Sequence, residues 1–235
     1  IRMQLIVPLI VVIATLIAGL AIFMLLGVDP QTAFKAYFID PLSTVYGVSE
    51  WLLKALPLCL IGLGLAVAYR AQVWNIGAEG QLVMGGIFAT AVMVYAQNAI
   101  TSGWLVLLMI LAGIVGGMVW AGLAAWMRTQ FNANEILTTL MLVYVAQSLL
   151  QYLLVGTVDN TAPLQDPMGA GFPQSAMFSA HATIPLLSQW IPALENTRLH
   201  VGILLLLLAV PLMWLFVKRS FIGYQMTVAG LAPKA

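Results

Sequence analysis

Six long apolar windows constrain the fold of this chain more than any other feature. A helix needs about 20 mostly apolar residues to cross a bilayer. The windows cover roughly residues 5–27, 51–69, 81–96, 104–127, 136–155 and 199–217, of which 81–96 is the shortest. Alternation of apolar and polar residues with period two is absent, and an open sheet edge is not tolerated in hydrocarbon. The sequence therefore predicts an all-α polytopic transmembrane bundle with about six spans.

The composition agrees with lipid as the main solvent. Hydrophobic residues make up 62% of the chain and charged residues 7%, against about 45–50% apolar residues in soluble domains. The net charge of +1 gives no reason to expect a nucleic-acid partner. The first window is longer than the apolar core of a secretory signal, so we expect it to stay in the membrane.

The basic residues predict the orientation of the bundle. A cytoplasmic N-terminus places six of them inside, namely Arg2, Arg70, Arg128, Lys218, Arg219 and Lys234. The three others, Lys35, Lys54 and Arg198, then lie outside. This orientation makes residues 156–198 an extracellular or periplasmic loop. Its prolines exclude one long helix and Trp190 favours the membrane interface, so we expect a short interfacial helix, as a connector or as a docking surface.

A polar cluster, "NIGAEGQ" at residues 75–81, interrupts the apolar pattern. An ionised Glu at the centre of a span costs about 2.5–3.5 kcal/mol, so Glu79 needs a helix end, a partner or a wet cavity. A helix that begins just after Gly77 would place Glu79 in its first turn, where the helix dipole favours a carboxylate. Alternatively, the glycines break the helix, and Asn75, Glu79 and Gln81 line a transport pathway. Both interpretations stay open.

A second polar stretch, "QFNANEILTTLML", precedes the fifth span. Asn132 followed three residues later by Glu135 resembles a capping box. Thr138 and Thr139 enter the span, where their hydroxyls can bond to their own helix. The alternative is a pathway role for Glu135 or Thr138.

In the fourth span small residues recur at intervals of four and predict close helix packing. They are Gly113, Gly117, Ala121 and Ala125.

Motifs for catalysis are absent from the sequence. There is no G-x-S-x-G, no H-E-x-x-H and no phosphate-binding G-x-x-x-x-G-K-[ST] loop. Cys59 is the single cysteine, and His181 and His200 have no partners at metal-ligand spacing. We therefore expect neither a catalytic site, nor a metal site, nor a cofactor in this chain. If the protein pumps, the energy enters through another subunit.

Four stretches resemble the permeases of ATP-binding-cassette (ABC) importers for branched-chain amino acids, monosaccharides and nucleosides. They are "ALPLCLIGLGLAVAYRAQ", "VWNIGAEGQLVMGG", "FNANEILTTLML" and "GYQMTVAGLAPKA", which together span residues 55–235. The resemblance is greatest to the nucleoside (simple-sugar-like) branch, from which Val143 departs where relatives commonly have Asn.

The resemblance implies a type II importer permease of about ten helices. The chain starts without Met and stops after "LAPKA", so we expect residues 1–235 to be part of one transmembrane permease domain that ends at the start of the coupling helix. Coupling to the ATPase would involve Gly223, Gln225, Gly230, Pro233 and Lys234. The implied partners are an ATPase with two nucleotide-binding domains, which binds the ATP and Mg, a second permease that makes a heterodimer, and an extracellular or periplasmic binding lipoprotein.

The resemblance therefore implies a permease subunit in the bacterial cytoplasmic (inner) membrane that imports nucleosides or related solutes. Trp74, Asn75, Glu79, Gln81, Glu135 and Thr138 are the candidate pathway residues, and Trp74 is suited to stack on a base or sugar ring. Sugars or branched-chain amino acids are alternative cargoes. A secondary transporter driven by an ion gradient is the alternative from another class, since it also uses broken helices and isolated acidic residues.

Overall fold

The computed structural model describes residues 2–156, 162–169 and 172–231, and within them the chain is helical without strands. Six of its helices are long and apolar enough to cross a membrane, which confirms the predicted all-α bundle. The α-helices are α1 (Arg2–Leu25), α2 (Pro30–Phe34), α3 (Asp40–Ser43), α4 (Val45–Arg70), α5 (Ala78–Ala96), α6 (Trp104–Phe131), α7 (Glu135–Leu154), α8 (Gly202–Arg219) and α9 (Phe221–Leu231). A π-helical turn, Lys35–Ile39, joins α2 to α3.

The chain forms two compact units. The first contains the residues up to Pro57 together with Leu186–Ile203, and the second contains Leu58–Pro185 together with the chain from Leu204 onward. In the first unit, Arg198 Nε donates a hydrogen bond to Glu50 Oε1 at 2.9 Å. This ion pair ties the loop before α8 to the first turns of α4.

The core of the second unit is formed by α5, α6 and α7. Gly85 and Gly113 bring the backbones of α5 and α6 together, and a Cβ added at Gly116 would lie 2.8 Å from the Met84 carbonyl oxygen. The Trp120 indole N–H donates to the Leu142 carbonyl at 3.2 Å and joins α6 to α7. Small residues therefore allow this close packing, as in membrane helix pairs generally.

The predicted small-residue ridge of α6 divides into two parts. A Cβ added at Gly113 or Gly117 would lie 3.4 Å from a backbone oxygen of α5. Ala121 and Ala125 instead line a cavity at the other end of the ridge. Close packing and open space thus follow one another along the same face of α6.

The loop between α7 and α8 contains no α-helix in its described residues. The expected interfacial helix is replaced by three short 3-10 turns, Ala180–Ala182, Leu187–Gln189 and Pro192–Leu194. Pro185 and Pro192 each remove a backbone donor, so the helical hydrogen bonds cannot extend through this stretch.

The predicted capping box at the start of α7 is wrong. Asn132 ends α6 in the left-handed conformation, with φ of 49°, so it is a C-cap. Asn134 is the N-cap, and its Oδ1 accepts hydrogen bonds from the N–H groups of Ile136 at 3.0 Å and Leu137 at 3.3 Å. Asn tolerates the left-handed region, which a three-residue connection between two helices requires here.

Candidate functional site

The connection between α4 and α5 is held against α7 by hydrogen bonds. Asn75 Oδ1 accepts from the Gly77 N–H at 2.9 Å, which closes a tight turn. The Ile76 N–H donates to Thr139 Oγ1 at 3.2 Å, and Thr139 is buried. The Asn75 amide also donates to Gln81 Oε1 at 3.3 Å. The turn at residues 71–77 is therefore held by hydrogen bonds to α7 and to the start of α5.

Two glycines let this turn approach α7 at backbone distance. A Cβ on Gly77 would lie 2.6 Å from the Thr139 carbonyl oxygen, and one on Gly80 would lie 3.0 Å from the Val143 Cα. Val143 is eight residues into α7, which corresponds to about 12 Å along a helix axis. The first turn of α5 thus lies beside the interior of α7 and not beside its end. Val143 is buried in this contact.

Glu79 lies on the exposed side of the same turn. It falls in the first turn of α5, and Gly77 is the N-cap without a side-chain cap bond, as the sequence indicated. Its Oε1 accepts a hydrogen bond of 2.7 Å from Gln147 Nε2 on α7. Glu79 therefore keeps its place in the first turn of α5 while its side chain pairs with an amide 68 positions away in the chain.

A cavity of about 340 Å³ lies on the other side of the turn. Its polar lining combines two amides, two hydroxyls and an ion pair, in which Arg128 Nη1 lies 3.1 Å from Glu135 Oε1. The remaining lining is mostly small and apolar. The lining residues are Ala68, Val73, Asn75, Gln81, Ala121, Ala124, Ala125, Arg128, Thr129, Glu135 and Thr139.

The candidate pathway residues therefore separate into groups. Asn75, Gln81 and Glu135 meet at the cavity, whereas Glu79 faces away from it, toward Gln147. Trp74 stacks against Tyr69 with ring centroids 5.2 Å apart, and is absent from the cavity lining. Thr138 uses its hydroxyl to bond the Asn134 carbonyl at 2.8 Å.

The last described helix, α9, reaches the same turn. Ser220 Oγ accepts from the Gly223 N–H at 2.9 Å and caps α9, while Gly223 is buried against the end of α8. Gln225 is exposed. Gly230 packs directly on the carbonyl oxygen of Arg70, and a Cβ there would also lie 3.3 Å from the Ala71 carbonyl carbon. Two other candidates for coupling, Pro233 and Lys234, lie outside the described residues.

Sequence reasoning missed Gln147, Arg128 and Thr139 as parts of the site. Gln147 donates a hydrogen bond to a carboxylate 68 positions away in the chain, and no local sequence motif marks such a contact. Arg128 had been used only to infer orientation, although its spacing from Glu135 across a short connection indicates an ion pair. Thr139 was noted only for bonds within its own helix.

Comparison with known proteins agrees with this architecture. Residues 47–235 match the family model described as "Branched-chain amino acid transport system / permease component". A glucose ABC transporter permease protein of Haloferax volcanii is 38% identical over 95% of this chain and 57% of its own length. A guanosine ABC transporter permease protein of Bacillus subtilis is 30% identical over 97% of this chain and 62% of its own. No solved structure matches the chain.

A nucleoside ABC transporter permease protein of Lactococcus lactis is 24% identical over 99% of this chain and 62% of its own length. The chain thus spans about three fifths of the length of these curated relatives. The family model covers most of the chain, and its matched region includes the α4–α5 turn, the start of α7 and α9. The predicted resemblance is confirmed: this multi-pass membrane chain belongs to the family of permease components of branched-chain amino acid transport systems, whose members include sugar and nucleoside ABC permeases.

Proposed function

We propose that this chain is the permease subunit of an ATP-driven importer for nucleosides or related small neutral solutes. One observation carries the proposal more than any other. Glu79, an exposed carboxylate, lies beside the interior of α7 and accepts a hydrogen bond from Gln147. Ionisable groups at membrane depth face a bundle interior or a water-filled space, because lipid solvates them poorly.

The face that carries Glu79 and Gln147 is therefore the solute pathway, shared with a second permease. Among the described residues Glu79 is exposed, and a heterodimer with a second permease would enclose this face. The cavity on the opposite side of the turn gives the turn room to shift when the pathway opens or closes. Irregular backbone at membrane depth is tolerated where protein buries it or where it lines a water-filled cavity.

Polar but mostly uncharged groups around the turn support a neutral cargo. On the pathway face Glu79 accepts a hydrogen bond from the Gln147 amide. In the cavity Arg128 and Glu135 neutralise each other at 3.1 Å beside two amides and two threonine hydroxyls. Such groups both donate and accept hydrogen bonds, as the hydroxyl groups of a ribose or hexose do. We place nucleosides first and hexoses second; the relatives' names include both, and the glucose permease has the higher identity. Branched-chain amino acids are the third option.

The chain works with two further kinds of partner besides the second permease. An ATPase with two nucleotide-binding domains binds ATP and Mg and docks at the end of the bundle where Gly230 meets Arg70. A binding lipoprotein delivers the solute to the opposite side. The N-terminus lies in the cytoplasm and the complex in the cytoplasmic membrane. ATP-driven closure of the ATPase shifts the permease between its outward-open and inward-open forms.

Reconstitution tests this function directly. The complete complex is placed in lipid vesicles with a binding protein, and uptake of labelled guanosine and glucose is measured with ATP present or absent. We expect uptake that requires ATP hydrolysis and persists after an ionophore has collapsed all ion gradients. Uptake by the permease without an ATPase, driven by a proton or sodium gradient, would instead identify a secondary transporter.

A further inference from the structure

We infer that a polar stripe on α7, formed by Tyr144, Ser148, Gln151 and Tyr152, contacts the transported solute and determines which solute is accepted. These residues recur at intervals of three and four, so they lie on one helical face. All four are exposed, Tyr144 at 58% and Tyr152 at 72%. This inference rests on the proposed permease function and extends it to the cargo contacts.

The position of the stripe along α7 argues against two simpler explanations. Because α7 runs from Glu135 to Leu154, Tyr144 and Ser148 lie in its middle. A helix of that length spans about 30 Å, so these two residues are far from the interfaces where Tyr is commonly enriched. The opposite face, with Thr139, Val143 and Ala146, is buried against the neighbouring helices. The stripe therefore faces away from the described core at the depth where transporters commonly bind their cargo.

The chemistry of the stripe fits a ring that carries hydroxyl groups. Ser148 and Gln151 donate and accept hydrogen bonds, and neither makes a side-chain hydrogen bond with another described residue. The phenol rings of Tyr144 and Tyr152 offer flat apolar surfaces with one polar group each. Gln147 and Glu79 add a carboxylate acceptor at the edge of the stripe. A nucleoside or a pyranose presents both kinds of group on one small molecule.

Single substitutions in the full-length transporter, purified with its ATPase and second permease, test this assignment. The variants are Tyr144→Phe, Ser148→Ala and Gln151→Leu, and Val119→Leu serves as the control because Val119 is exposed and apolar on α6. The probes are labelled guanosine and glucose. Losing one hydrogen bond to the solute should change the guanosine-to-glucose uptake ratio about tenfold for Gln151→Leu, while assembly and ATP dependence remain and the control is unchanged.

The outcomes separate the two proposals. Unchanged uptake ratios and affinities in all three variants, with ATP dependence intact, would refute the stripe and leave the permease function standing. Failure of all three variants to copurify with the other subunits would identify the stripe as a helix-packing surface and also refute it. Gradient-driven uptake by the wild type without an ATPase would refute the proposed function, whatever the variants do.

Discussion

Individual glycines determine how closely the first turn of α5 can approach α7. Gly80 leaves 3.0 Å between an added Cβ and the Val143 Cα, whereas Gly122 on α6 has open space around it. The same residue type therefore has two different roles. At Gly80 a methyl group would push the turn away from α7, and at Gly122 it would only improve helix propensity.

Gly80→Ala should destabilise the transporter by about 1–3 kcal/mol, because backbone atoms cannot move aside as flexible side chains do. Gly122→Ala should be neutral or stabilising by up to about 1 kcal/mol. Thermal unfolding of the purified complex in detergent measures both changes. Equal effects of the two substitutions would contradict the close approach at Gly80.

The charge of Glu79 can be separated from its hydrogen-bonding capacity. Glu79→Gln keeps an oxygen that can accept from Gln147 but removes the negative charge. We expect at least about a tenfold loss of uptake with assembly intact, because a pathway carboxylate is functional by default. Transport assays with copurification as the control measure this. Normal transport by Glu79→Gln would return Glu79 to a role at the end of α5.

At the scale of helices, the start of α7 allows a direct test of how a helix end is stabilised. Asn134 accepts two backbone hydrogen bonds there, and Glu135 pairs with Arg128 instead of completing a capping box. The cap and the ion pair occupy adjacent positions, so the first turn of α7 is tied both to its own backbone and to the last turns of α6.

Asn134→Ala should lower stability by about 0.5–2 kcal/mol through loss of the N-cap. Asn132→Gly should have little effect, because glycine adopts the left-handed conformation that Asn132 holds at the end of α6. Unfolding temperatures of the two variants give the comparison. A larger loss at Asn132 than at Asn134 would favour the capping box that the sequence suggested.

Apolar length predicted the number and order of the spans, but their ends depend on polar side chains. The second span begins at Val45 and not near Trp51, because Ser49 bonds the Tyr46 carbonyl at 2.7 Å and Glu50 pairs with Arg198. A hydropathy window counts both residues as breaks. Partners from distant parts of the chain satisfy them, and hydropathy does not report such partners.

The site shows the same division between local and distant information. The start of α5 just after Gly77 could be predicted from the glycine and from Glu79 in the first turn, because both are local features of the sequence. Which side of the turn each polar residue faces depends on the rotation of α5 against α7. For that reason Gln81 reaches the cavity while Glu79, two residues earlier, reaches Gln147.

Within the second unit, α9 is in direct contact with the start of the turn between α4 and α5. Gly230 in α9 contacts the carbonyl of Arg70, where α4 ends and the turn begins. Ala229 is its exposed neighbour on the same helix. This arrangement offers a direct test of the predicted coupling role of α9.

Gly230→Leu should reduce the stimulation of ATP hydrolysis by the loaded binding protein about tenfold or more, because the bulky side chain displaces α9 from the turn. Ala229→Leu adds a side chain of the same size at an exposed position and should leave stimulation intact. Hydrolysis rates of the reconstituted complex with and without binding protein measure the difference. Full stimulation in Gly230→Leu would show that this contact does not transmit the signal.

The contact between Gly230 and Arg70 also gives a short path by which a movement of α9 reaches the turn between α4 and α5. A force applied at the end of α9 would cross one backbone contact before it moved the segment that carries Glu79. Rearrangement of the whole bundle would then be unnecessary for the first response. An antibody fragment or cyclic peptide that binds at this contact should therefore stall transport without competing with the solute.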